Sequence, residues 1–153
     1  MDVNKDLVRA DDLYFYVTSA NTVVAFATSC SLQVDGETID SSNKMSCRWN
    51  ANLAGKNSYS VSVDALYTQN TGLTSFDKLM EMMVSGAAID WAIGVAQAYT
   101  GTCESNTFAL DTSKVYYSGK GLITSLSLNG GNNEVASCSM TVTGSGGITI
   151  HKP

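Results

Sequence analysis

The chain has 153 residues, 9 Lys+Arg against 14 Asp+Glu, and a formal net charge of −5. That length suits a single domain, expected over 1–153, with enough apolar content for a real core. The acidic balance argues against wrapping nucleic acid, where affinity comes mostly from Lys and Arg on phosphates, and it is too mild for a disordered chain. Ser, Thr, Asn and Gly are abundant and proline occurs once, a vocabulary of strands and turns.

The opening residues MDVNKDLVRADD lack an apolar stretch, so no secretory signal is expected, and no run approaches the length of a membrane span. Cys30, Cys47, Cys103 and Cys138 are scattered without a C-x-x-C pair, and reduced thiols are the expectation.

The elements expected in chain order are mostly strands. An aromatic strand covers 13–18, and a second runs from 22 to about 34, where Asp35-Gly36 reads as a turn. A polar arm over about 36–57 follows, with three basic residues and the isolated Trp49. From Tyr59 the period is two: Tyr59, Val61, Val63, Ala65 and Tyr67 face one way, Ser58, Ser60, Ser62 and Asp64 the other.

One helix is predicted over about 74–85. Phe76, Leu79, Met80 and Met83 form its apolar stripe, Thr74 and Asp77 its start signal, and Gly86 its stop. Met80, Met82 and Met83 read as packing residues. Ile89, Trp91, Ile93 and Val95 then share a strand face, and 99–113 reads as a loop. Two long strands, about 115–128 and 134–143, are joined by an Asn129-Gly130 hairpin signal, with Cys138 on the inward face. A short segment over 148–150 closes the chain. Together these elements predict a mainly β fold: a β sandwich or barrel of two packed sheets with one flanking α-helix.

Catalytic chemistry finds little foothold. The single histidine, His151, lies three residues from the end, where a mobile position is expected and a Ser-His-Asp or Cys-His site would be poorly anchored. One histidine and four dispersed cysteines offer no zinc spacing, and Gly144-Ser145-Gly146-Gly147 lacks the lysine and helix of a phosphate loop. No enzyme, cofactor or metal site is expected.

The ordered set "DLYFYV", "VVAFATSCSLQVDGETIDSSNK", "RWNANLAGKNSYSVSVDALY", "SFDKLMEMMVSG", "IDWAIGVA" and "YYSGKGLITSLSLNGGNNEVASCSMTVTGSGGI" resembles the major tail proteins that form the tail tube of long-tailed, non-contractile phages. The resemblance covers nearly the whole chain. Each motif is loose and their order is the specific part. The cysteine content and the loop at 101–111 depart from the family pattern.

The resemblance implies a structural virion protein, made and assembled in the host cytoplasm and located in the tail. It implies six-membered rings that stack into a hollow tube whose lumen conducts DNA without binding it specifically. The implied partners are other copies of the chain and the tape-measure, tail-terminator and baseplate proteins. The arm matches a loop that contacts adjacent subunits and rings, so Asp40, Lys44, Arg48, Trp49 and Lys56 are candidate inter-subunit residues. Residues 2–12 are a candidate inter-subunit strand. Asp64 and Glu134 are candidates for an acidic lumen wall, for which −5 per chain becomes about −30 over six copies. Two alternatives remain: the inner tube of a contractile tail or injection apparatus, and a carbohydrate-binding β sandwich using Tyr14, Tyr16, Tyr116 and Tyr117.

Overall fold

The alternating apolar runs become seven strands in the computed structural model, which describes residues 7–17, 23–70, 73–97 and 108–153. They are β1 (Leu13–Val17), β2 (Ala27–Asp40), β3 (Asn52–Leu66), β4 (Ile89–Val95), β5 (Tyr116–Asn129), β6 (Ser137–Gly144) and β7 (Thr149–His151). The helix α1 (Phe76–Ser85) lies between β3 and β4 in the chain. All pairings are antiparallel, in the order β1-β4-β5-β6-β3-β2, with β7 beside β5.

Two separately paired sheets were expected; hydrogen bonding instead links every strand into one. That sheet curls until its two ends approach, with Cys30 Sγ on β2 lying 3.8 Å from the Leu13 carbonyl oxygen on β1. Just before β2, the Val24 amide donates to the Phe15 carbonyl of β1 at 3.2 Å. The result is a half-barrel with one enclosed face. Phe15, Val61, Val63, Leu79, Trp91, Met140 and Val142 fill it, and Cys138 is part of the same cluster, as its alternation predicts.

Tyr59 closes this core near one end. Its ring lies 5.4 Å from that of Trp91, and its hydroxyl donates to the Lys120 carbonyl oxygen at 2.5 Å. Gly144 is needed beneath it, because a Cβ there would collide with the Tyr59 ring. The predicted period-two face holds for Tyr59, Val61, Val63 and Ala65, all buried, while Tyr67 lies just beyond the strand and is only half-buried.

The β1–β4 end of the sheet is covered on its second face too. There Tyr16, Ala92 and Leu110 form a small cluster of their own, with Tyr14 and Tyr116 against it. The Tyr16 hydroxyl donates to the Phe108 carbonyl oxygen at 2.7 Å, and burial pushes its pKa up. Most of the loop expected over 99–113, including Cys103, lies outside the described residues.

α1 forms close to where its stripe predicts, with a different cap. The N-cap is Ser75, whose hydroxyl accepts from the Thr68 amide at 3.3 Å rather than capping α1. Thr74 is buried in a bridge with Val24, so the expected Thr74–Asp77 start signal is not used. Gly86 ends the helix in the left-handed region at φ +68°, as its position suggests. Leu79 is buried and Phe76 and Met82 pack on the core, whereas Met80 and Met83 are 50% and 38% exposed. The methionine that seals the helix is therefore Met82.

His151 is not a loose terminus. It pairs opposite Tyr116 in β7, stacks on that ring at 4.2 Å, and its Nε2 lies 2.8 Å from Ser118 Oγ. Two expected boundaries also move. β6 begins at Ser137, which leaves Glu134 in the β5–β6 turn, and β2 runs straight through Asp35-Gly36.

Candidate assembly surfaces

Alternation on β2, β3, β5 and β6 sends most apolar residues inward and most hydroxyls out, with Leu122 of β5 an exposed exception beside Thr143. On the outer face Ser31 stands opposite Ser62, Ser62 opposite Thr141, and Ser127 opposite Ser139. Thr124 and Thr143 hydroxyls meet at 3.0 Å. Unlike the outer face over β1 and β4, this wall carries no second layer of described residues. It holds no Lys or Arg between residues 27–35, 58–66, 121–129 or 137–144. Asp64 lies on it, exposed, accepting from Ser29 Oγ at 3.0 Å. Glu134 lies at the end of the wall, in a turn where its amide donates to the Gly131 carbonyl oxygen.

The polar arm is the outer part of a long β2–β3 hairpin. The two strands stay paired past the core, Gly36 with Asn57, then Thr38 with Ala54, Ile39 with Leu53 and Asp40 with Asn52. The step between Gly36 and Thr38 is a β-bulge, which explains the misread turn signal: the glycines serve a bulge, not a reversal. At Gly55 the backbone approaches its partner so closely that a Cβ would stand 3.0 Å from the Glu37 carbonyl oxygen.

The reversal itself comes at 41–51 and is held by polar groups. Asn43 and Ser46 cap each other around a 3-10 turn, Lys44–Ser46. Ser41 N–H donates to the Ala51 carbonyl oxygen at 2.8 Å, and Ser42 N–H to Asp40 Oδ1 at 2.8 Å. The hydrogen bonds from Ser42 hold the Asp40 carboxyl below its ordinary pKa. Cys47 follows at φ +55°, and Met45 and Trp49 project at 91% and 84% exposure. Among the described residues, Lys44, Arg48 and Lys56 form no ion pair; the pairs present are Arg9–Asp11 and Lys120–Asp90. The structure thus brings Asp40, Lys44, Arg48 and Trp49 together at the tip, with Lys56 set back at the bulge.

Two strand edges complete the picture, and neither was singled out from the sequence. β2 ends the sheet order. β4 pairs with β5 only as far as Gly121, so residues 122–129 are paired on the β6 side alone. Neither edge carries Lys, Arg or Pro, although β2 bears Asp35, Glu37 and Asp40 toward its outer part and two register shifts. Of the candidate inter-subunit strand at 2–12, residues 2–6 lie outside the described part, and the rest is exposed with a 3-10 turn at Ala10–Asp12.

Residues 12–150 match the family described as phage tail tube protein. The chain belongs to that family. No curated protein matches it. Among solved structures it is similar to the tail subunit of an empty gene transfer agent particle, refined with C6 symmetry, at 17% identity and TM-score 0.72, covering 94% of this chain and 98% of that one. It is also similar to the SPP1 tail tube (10% identity, TM-score 0.68, 96% and 80% covered). A chain of the sheath–tube complex of the extracellular contractile injection system PVC is comparable (12%, TM-score 0.68, 97% and 94% covered). The family makes this a structural tail tube protein.

Proposed function

We propose that this chain is the repeating subunit of a tail tube, closing into six-membered rings that stack around a DNA-conducting lumen. The observation that carries this reading is the pair of edges without Lys, Arg or Pro flanking a cation-free hydroxyl wall. The β2 edge of one copy pairs with the 122–129 edge of the next. A contact between two different edges is heterologous and closes into a ring when the rotation allows it. Closure also removes both exposed edges at once. The C6 symmetry of the gene transfer agent tail supports six copies per ring.

The hydroxyl wall then faces the lumen, with Asp64 on it and Glu134 at its rim. Few cations and a net negative charge keep DNA from trading its counterions for protein contacts, so DNA slides without specific binding. The hairpin tip reaches a neighbouring ring, where Trp49 anchors and Lys44, Arg48 and Lys56 meet acids of that neighbour. The tail-terminator, tape-measure and baseplate proteins complete the tail, which assembles in the host cytoplasm.

A second reading, the inner tube of a contractile system, is supported by the likeness to the sheath–tube complex. Co-assembly with a sheath protein from the same genome separates it from the non-contractile reading. The carbohydrate-binding alternative loses support: Tyr16 is fully buried, and Tyr14 and Tyr116 lie against Phe108 and His151.

The test is negative-stain electron microscopy across a protein concentration series, with mass by light scattering. Rings or tubes with an open lumen are expected. Strict monomers, even with the neighbouring tail proteins co-expressed, would defeat the proposal. Ser62→Lys with Ser127→Lys should leave tubes intact while slowing DNA release from assembled particles.

A further inference from the structure

The two ends of the half-barrel differ in kind. At the end where the arm departs, the enclosed face opens into a cavity of about 820 Å³, lined by Leu13, Leu32, Val34, Tyr117, Ile148 and Ile150. Val34 and Ile150 are each 57% exposed, so this mouth is wet and apolar in the single chain. Its own arm cannot fill it. Asn57 and Ser58 lie in the mouth lining, and from there the paired β2 and β3 strands carry the arm away.

The opposite end is about seven strand residues away, roughly 23 Å at the usual rise. It carries exposed apolar side chains. Phe26 stands there at φ +53° with 57% of its surface exposed, and its carbonyl oxygen accepts from the Leu66 amide. On the other side of β3, Val135 is 68% exposed in the β5–β6 turn. A phenylalanine held in the left-handed region with its ring in water is strained backbone displaying an apolar group. Charge at the mouth is mixed, with Asp35 beside Val34 and Lys56 beside Asn57.

We infer that the mouth of one copy receives Phe26 and Val135 of a second copy in the next ring, so that stacking is head-to-tail and apolar at its centre. This rests on the ring reading above, and assigns to the stack a contact separate from both the strand edges and the hairpin tip. A head-to-tail contact that does not close on itself extends into a filament. With the β2 and 122–129 edges consumed by ring closure, the two ends, besides the hairpin tip, are available for growth along the axis.

Two single-end variants test it. Val34→Asp spoils the mouth and Phe26→Asp spoils the plug; both sites are exposed, and aspartate tolerates the Phe26 backbone angle. Each variant alone should give single rings by electron microscopy and light scattering, with tubes lost and thermal unfolding close to that of the parent. Mixed together, they should give double rings that grow no further, because the mixture offers one intact mouth-and-plug junction and two spoiled outer ends. Tubes persisting in either variant, or no double rings in the mixture of two folded variants, would overturn the inference while leaving rings in place. Should the parent chain form no rings, the failure belongs to the ring reading instead. Ile150→Asp is the second mouth variant should Val34→Asp unfold, and it should pair with Phe26→Asp in the same way.

Discussion

At the base of the β2–β3 hairpin the two strands alternate strictly, with Tyr59, Val61, Val63 and Ala65 buried and Ser62 and Asp64 exposed. Beyond Asn57 the same strands stay paired across a bulge, yet no residue from 36 to 57 is buried. Base and tip thus share a backbone ladder and differ in everything else. The base is held by the core; the tip is held by its ladder and the polar turn at 41–51. A two-stranded ribbon with no face to bury is marginal alone in water, so a tip kept this long and this exposed is explained by what it contacts outside its own chain.

The base should break first and hardest. Tyr59→Ala removes a buried ring packed on Trp91, and is expected to cost the fold about 3–5 kcal/mol, as large aromatic truncations in cores do. Urea unfolding of the monomer measures it, and a loss below about 1 kcal/mol would mean the core does not depend on this end of β3.

The tip should show the reverse pattern. Trp49→Ala is expected to change monomer stability by no more than about 0.5 kcal/mol, as for other exposed positions. As an interface anchor it should weaken assembly by about 2 kcal/mol or more, raising the concentration needed for tubes by roughly thirtyfold. Cys47, exposed two residues away, reports on the same event: its thiol should react freely in the monomer and become protected in tubes. Unchanged labelling in assembled tubes would remove the tip from the interface.

The base was legible in the sequence because burial on one side writes a period of two, and β3, β4 and β6 all carry it. The tip was legible only as a polar arm. Its strand pairing is made by backbone groups that every residue possesses, so Thr38, Ile39, Leu53 and Ala54 show no pattern that marks them as paired. Asp35-Gly36 misled for a related reason, since a bulge and a turn both ask for glycine. The single curled sheet, rather than two, depends on β4 and β6 pairing with different halves of β5, a long-range choice that no local signal records. The unpaired edges and the two unlike ends follow from that topology. The sequence could offer Phe26, Val34 and Val135 only as scattered hydrophobes.

A smaller cut at the base isolates the one polar contact there. Tyr59→Phe keeps the ring and removes the hydroxyl that donates to the Lys120 carbonyl oxygen, at an expected cost of about 1 kcal/mol. The difference between Tyr59→Phe and Tyr59→Ala then measures ring packing alone. Equal losses would mean that the hydrogen bond, and not the ring on Trp91, fixes β3 against β5.

The smallest effect belongs to the tip. Ser42 hydrogen bonds keep the Asp40 carboxyl below its ordinary pKa, so the charged form is favoured in the folded turn. A depressed carboxyl pKa stabilises above the unfolded value, about 3.9 for Asp, and that contribution is lost as pH falls through the folded one. The turn at 41–51 should therefore loosen on acidification before the core does. The Ser42 amide resonance followed by NMR should titrate with a midpoint below the ordinary Asp value, and Asp40→Asn should abolish the titration. Because the tip touches no core residue, global unfolding should scarcely register the change. A midpoint at or above the ordinary value would show that the turn is not held by this carboxylate, and that the strand ladder alone keeps the tip in shape.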